Sequence, residues 1–403
     1  MEKKLKKVPT NLFHHVKQVY SKWLEFEADN HLAINYIFAI IFANRWPVSP
    51  LWGYLIGPPG GTKTEILRTL QTDEFLSVST LNPASLVSGY RDERANFEDP
   101  SLLPLLNNRV LIIKDFTSIL SMYRDKREEV LAQLREAYDG ALSKAFGNIG
   151  LKSYESKFGI LAAVTPILDR HSGVIQQLGE RFICFRMQEK ERMKAIYKAV
   201  SNLPQLVKMR AELSNAAQQL LSLPIPKLDK MSFDKDTCSR LVYAAEFVSL
   251  ARTQVLRSGI KRVISHIPEP ELGTRLVQQF QALCMGHAAI NQRTTFAEED
   301  FELIRKVARD TIPTKIELFI EFLWRNYHRK RKKWPNNPGA WWTEIKELSE
   351  ISGISFETVK EILEDFRLLK IVVRQGVGKY VWKLSRRMRT TIRLSGIYER
   401  KEK

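Results

Sequence analysis

The sequence predicts an α/β protein: a three-layer core around a parallel β-sheet, capped by a helical lid and followed by a winged helix-turn-helix. Three observations carry this. At Leu55–Leu67, "LIGPPGGTKTEIL", an apolar strand enters a Gly/Pro-rich loop and a stretch with helical spacing leaves it. Further all-apolar strands, beginning with Val110–Ile113, alternate with helical stretches, as strands buried on both faces of a parallel sheet do. From Lys315 the character changes to two short helices joined by a Gly-containing turn, then a hairpin turning at Gly376-Val377-Gly378.

In chain order, Leu12–Phe26 and His31–Asn44 place apolar residues at helical spacing, and Trp46-Pro47 stops the second run. The strand Leu51–Ile56 and the loop follow, then a polar, turn-rich stretch from Leu81 to Asn108. After Val110–Ile113 a helix is predicted over Arg127–Tyr138, and Asp139-Gly140 opens a hairpin through "ALSKAFGNIGLKSYESK". "FGILAAVTP" and "LGERFICFRM" read as a third and a fourth buried strand, ahead of a helical region over 190–310. A helix over Lys315–Arg331 precedes a Pro/Asn/Gly break at Trp334–Gly339. The expected division is an N-terminal helical segment (1–48), the α/β core (49–200), the lid (201–312), the winged helix (313–385) and a basic tail (386–403).

Charge narrows the partners. The 63 lysines and arginines against 45 carboxylates leave +18, concentrated at Lys3-Lys4, Lys6-Lys7, Arg329–Lys333 and Arg386–Arg393. Such clusters suit a polyanion, nucleic acid before an anionic membrane. Cys184, Cys238 and Cys284 are too far apart for a metal pair and read as buried small residues in a reducing compartment. The longest apolar run, Ala33–Ala43, is 11 residues and too short for a bilayer. A cytoplasmic location is the expectation. The seven histidines show no metal-ligand spacing.

The loop is where chemistry is expected. Gly57, Pro58, Pro59, Gly60, Gly61, Thr62, Lys63 and Thr64 match a phosphate-binding loop, except that Thr62 stands where a glycine commonly precedes the lysine. The glycines let backbone N–H groups face phosphates, Lys63 reaches the outer ones, and Thr64 can hold Mg²⁺. ATP with Mg²⁺ is therefore the expected ligand.

The order of later motifs resembles the AAA+ ATPases, specifically the minichromosome-maintenance-like replicative helicases, over roughly residues 30–310. In that family the residue before the loop lysine is also not glycine, which makes Thr62 a family trait. The resemblance implies several roles. "LREAYDGALSKAFGNIG" is similar to the family's pre-sensor hairpin and puts a DNA-touching lysine at Lys144. "ILAAVTP" is similar to the sensor 1 strand, with Thr165 for the usual asparagine. "LGERF" places an arginine finger, donated to a neighbouring subunit of a ring (a hexamer), at Arg181, and "LGTRLVQQFQALCMGHAAIN" places sensor 2 at Arg275. Outside the resemblance, Arg181 also reads as a salt-bridge partner and Lys144 as a solvated hairpin lysine. The 50 residues before the strand Leu51–Ile56 are too few for the N-terminal DNA-binding domain that the resemblance would lead one to expect.

One departure bears on catalysis. The Walker B segment is "LIIKDF", where Asp-Glu-Phe is expected. Aligned on Phe116, Lys114 replaces the Mg²⁺-organising carboxylate and Asp115 is the catalytic one. Shifted by one residue, Asp115 becomes the Mg²⁺ ligand and no base remains at Phe116. Either way one carboxylate is lost, which slows hydrolysis about 10²- to 10⁴-fold unless Glu136 or Asp139 compensates.

In the winged helix, Ser355–Leu368 carries Glu357, Glu361, Glu364 and Asp365 and suits phosphates poorly, whereas Arg374, Lys379, Arg386 and Arg387 lie on the wing and beyond it. Two functions follow as expectations: an ATP-driven motor on DNA, a helicase, or an ATP-switched loader that binds DNA and recruits others. A winged helix that docks protein is the competing use of that module.

Overall fold

A computed structural model describes residues 12–26, 28–60, 62–90, 99–147, 150–171, 181–188, 192–258, 263–267, 269–377 and 380–398. Gly61 and Lys379, named above as ligand residues, lie outside the described residues. The chain divides into two compact units, residues 1–171, 177–232 and 282–303 in the first, and 172–176, 233–281 and 304–403 in the second. The stretch 201–312 thus contributes to both.

Among the described residues the strands of the first unit are β1 (Trp52–Ile56), β2 (Phe75–Val78), β3 (Val110–Ile113), β4 (Ala141–Phe146), β5 (Gly150–Glu155), β6 (Gly159–Val164) and β7 (Phe182–Arg186). Five of them form one parallel sheet in the order β2-β3-β6-β1-β7, and β4 and β5 pair as an antiparallel hairpin. This is an α/β architecture. Every residue of β1, β3 and β6 is buried, because helices cover both faces of the sheet. On one face the helix Leu32–Ala43 packs down, with the Tyr36 hydroxyl donating to the Ile183 carbonyl at 2.8 Å. On the other, Trp52 meets Tyr138, Phe158 and Phe182 at ring separations of 5.0, 5.5 and 5.2 Å, and Tyr54 stacks on Phe182 at 4.0 Å. Each such aromatic contributes on the order of 2–3 kcal/mol through removal from water.

The helix Leu32–Ala43 has no solvent face: Ala33–Ala43 are all buried. Its far side meets the residue-286 end of the helix Thr274–Ile290, so closely that a Cβ on Gly286 would stand 1.9 Å from the Ala39 carbonyl oxygen. Beside that contact lies a buried polar network. His287 Nδ1 is 2.6 Å from Asp300, Arg293 donates to both Asp300 oxygens at 2.9 Å, and Asn35 Nδ2 lies 2.7 Å from His287 Nε2. Burial alone would raise the Asp300 carboxyl, but the His287 and Arg293 bonds outweigh it and hold the group below its ordinary range.

The second unit begins with the helix Lys235–Arg252, which Asp234 caps through the Thr237 N–H at 2.8 Å. A hairpin of β8 (Leu256–Ser258) and β9 (Val263–His266) follows, inside the region expected to be wholly helical. The helix Thr314–Lys333 leads to β10 (Thr343–Glu344), the helix Ile345–Ser352, the helix Phe356–Leu368, β11 (Val372–Gln375) and β12 (Val381–Leu384). The three strands form an antiparallel sheet ordered β10-β12-β11. A reciprocal cap between Glu344 and Glu347 starts the first short helix, Gly353 in the left-handed region (φ 65°) ends it, and Ser355 caps the second. The basic segment from 386 is a helix over Arg386–Ser395, which buries Met388, Thr391, Ile392 and Ser395.

Among the described residues no helix is long and apolar enough to cross a membrane. Cys184 and Cys284 are buried as expected, but Cys238 is exposed on the outer face of the helix Lys235–Arg252.

Candidate nucleotide site and nucleic-acid faces

In a parallel sheet all strands point the same way, so the loops after β1, β3 and β6 emerge at one edge. The register fixes this: Ile56 lies beside Val164, Ile113 beside Ala162, and the Gly57 N–H donates to the Val164 carbonyl at 3.1 Å. Gly57–Gly60, Thr62–Thr64, Asp115 and Thr165 therefore share the carboxyl edge of the first unit.

Within the loop, Pro58 and Pro59 stiffen the backbone and Gly60 turns it at φ 75°. The helix Lys63–Arg68 starts directly behind, so Lys63 points back into the loop. Its ammonium is buried and donates to the carbonyl oxygens of Gly57 (2.6 Å) and Pro58 (2.5 Å). A glycine-rich turn, a buried lysine and a helix start directly behind it are a residue set that fits a phosphate chain. Thr62 is half-buried at the N-cap, and Thr64 is exposed on the first turn.

Phe116 is fully buried against Tyr54, with ring centroids 4.9 Å apart. That leaves Asp115, exposed just past β3, as the carboxylate of this segment, with exposed Lys114 beside it. Asp115 accepts the Thr117 N–H at 3.0 Å. Thr117 Oγ1 in turn accepts the Thr165 N–H at 3.1 Å and lies 3.3 Å from Thr165 Oγ1. Asp115 and Thr165 are thus brought together through Thr117, a residue the motif reading missed. Its signal was present: a threonine two residues after an aspartate is the pattern of a side-chain-capped turn. A hard cation would find the Thr64 hydroxyl and the Asp115 carboxylate at this edge.

Arg181 stands at the opposite edge. It immediately precedes β7, whose Phe182 pairs with Trp52 at the start of β1. Arg181 lies one residue before that level, six steps of about 3.3 Å from Gly57 along the strand direction, roughly 20 Å. There Arg181 is buried, lies over the Tyr138 ring at 5.6 Å and donates to Asp139 at 3.2 Å. Asp139 belongs to this far edge too, and so does not replace the missing Walker B carboxylate. Glu136, one turn earlier on the same helix, is exposed there as well.

Lys144 is on the packed face of the hairpin, in register with Lys152. Its ammonium donates to Glu129 at 2.9 Å and lies 5.4 Å from the Phe146 ring centre. Its charge is neutralised within the unit and is not presented outward from the hairpin. Arg275 belongs to the second unit, where it faces Glu271 at 3.8 Å.

The wing cations are largely paired. Arg374 binds Glu364 and stacks over Tyr380 at 4.1 Å, while Glu361 and Asp365 on the same helix bind Arg257. Arg387 binds Glu246, and Arg386 is exposed. Both arginines occupy the first turn of a helix, the end that disfavours cations. No protein-family model matches this sequence, and no curated protein matches it.

Proposed function

We propose that this chain is an ATP-binding AAA+ protein that acts on DNA as a ring, in the manner of the minichromosome-maintenance-like helicases. One observation carries the nucleotide reading: the buried Lys63 ammonium rests on the loop carbonyls at the edge shared by Asp115, Thr117 and Thr165. Bound MgATP supplies the phosphoanhydride whose cleavage drives such proteins. Loop amides and Lys63 would hold its phosphates, Thr64 and Asp115 would hold Mg²⁺, and Thr117 orients Asp115 through its N–H. The position of Arg181, about 20 Å from its own loop, supports donation to the site of a second copy. The order helix, strand, two helices and hairpin over 314–384 supports a winged helix, and the +18 charge supports a nucleic-acid partner.

A second reading, an ATP-switched loader with weak turnover, is favoured by one feature. Asp115 is the only carboxylate directly after β3, and Lys114 beside it opposes a second cation. The two readings separate in a DNA-stimulated ATPase assay run beside forked-duplex unwinding. Both require that Lys63→Ala lower affinity for a fluorescent ATP analogue by more than about 100-fold, the scale of losing the main charge on the phosphates. Unchanged affinity in a folded variant would sink the site. Mixing Lys63→Ala with Arg181→Ala tests the shared site: recovered turnover in mixed assemblies is expected.

A further inference from the structure

The end of the helix Thr314–Lys333 and the loop after it combine unpaired cations with aromatic rings. Lys330 is committed, donating to Glu347 and the Trp342 carbonyl, both at 2.7 Å. Among the described residues no carboxylate pairs with Arg329, Arg331, Lys332 or Lys333, all of them exposed. Rings lie beneath this charge. Lys333 is 4.5 Å from the Trp334 ring centre, Arg331 is 5.8 Å from Trp341, and across on β12 Lys383 is 4.0 Å from Trp342. Trp334 keeps 40% of its surface exposed.

Two ordinary explanations fall short. Cations do stabilise a helix C-terminus, but the effective charge there is only about half a unit and confined to the last turn, less than Arg329, Arg331, Lys332 and Lys333 carry together. The tryptophans do brace the loop, since the Trp341 indole N–H donates to the Trp334 carbonyl at 2.9 Å. That bond leaves part of the Trp334 ring exposed, with the Lys333 ammonium over it. The helix behind the platform is anchored: Asn326 links it to Thr343 at 2.8 Å, and Arg329 donates to Asn326 at 2.7 Å. A part-exposed indole amid unpaired cations offers what single-stranded nucleic acid needs, a π-face for a base and charge for its backbone. A duplex keeps its bases stacked internally and can use only the charge.

We propose that the Arg331–Trp334 platform of the second unit binds single-stranded nucleic acid by stacking a base on Trp334 while Arg331, Lys332 and Lys333 contact phosphates. This rests on the nucleic-acid part of the reading above and not on the nucleotide site. By contrast, the acidic helix Phe356–Leu368 and Arg374 are bound to each other or to Arg257.

The test uses the full chain with oligothymidylate and oligouridylate of about 12 nucleotides and a duplex of equal length, within the usual span of a stacking site. Tryptophan fluorescence should be quenched by the single strands, and the two sugars distinguish DNA from RNA as the source. Trp334→Ala should weaken single-strand affinity about tenfold or more, the scale of one stacked base, and duplex affinity less than about twofold. Trp334→Phe should restore most of the loss. Lys332→Gln, which disturbs no contact, should reduce the single-strand salt slope by about 0.7. Affinity for an ATP analogue should stay constant in all variants, which separates this result from failure at Lys63. Equal loss on duplex, no rescue by phenylalanine, an unchanged salt slope, or no binding of any oligonucleotide overturns the proposal; the last outcome would make the platform a protein-docking face.

Discussion

Lys63 and Arg181 are both buried cations of the first unit, 6% and 9% exposed, yet their surroundings are opposite. Lys63 rests on two neutral carbonyls at the carboxyl edge of the sheet, whereas Arg181 rests on the Asp139 carboxylate at the amino edge. Backbone carbonyls hold an ammonium less strongly than a phosphate does, so an anion can draw Lys63 away from them. A carboxylate partner neutralises the charge already, so any other role for Arg181 must displace Asp139. Equal burial therefore says little about readiness for a ligand; the partner decides it.

The contrast can be pressed by substitution. The largest effect is expected for Arg181→Ala: turnover should fall about 10³-fold while affinity for an ATP analogue holds, if the arginine acts at a neighbour's site. Loss of binding together with turnover would instead assign it a structural role. Next, Asp115→Asn should lower turnover about 10²-fold, read as phosphate release, since no other carboxylate directly follows β3. Equal rates would move the chemistry elsewhere. Asp139→Asn should cost only about 1 kcal/mol in denaturant unfolding, because Asp139 is itself largely exposed. It should raise turnover at low protein concentration, where release of Arg181 limits assembly; a fall in turnover would break the comparison. Smallest is Lys144→Ala, with about 0.5 kcal/mol or less in stability and no change in oligonucleotide affinity, as its charge is already met by Glu129. A large loss of unwinding in this variant would show that the hairpin rearranges in assemblies.

Much of the first unit was legible because its signals are local. Val110–Ile113 is a strand with the predicted bounds, an unbroken apolar run between polar neighbours. The turn between the strand Trp52–Ile56 and the helix Lys63–Arg68 was legible because glycines and prolines between an apolar run and a helical spacing mark a turn. β2 escaped because Phe75–Val78 is a short edge strand with a single buried residue and no apolar run. β8 and β9 escaped for a related reason, since every residue of β9 is exposed and periodicity has nothing to report. Side-chain pairing was not legible at all. Lys144, Arg374 and Arg387 look alike in a sequence to Lys332 and Lys333, and only the fold brings Glu129, Glu364 and Glu246 against the first three.

Gly286 also offers a genetic handle. Its bare Cα lets two helices approach until a methyl group there would overlap the Ala39 carbonyl. Glycine-to-alanine at this position is a single-codon lesion, and overpacking of this kind costs about 1–3 kcal/mol. In a unit of this size each kcal/mol lowers the melting temperature by about 2–4 °C. Such a variant would fold when cool and unfold when warmed, so that the protein could be withdrawn from a living cell by a temperature shift and returned by cooling.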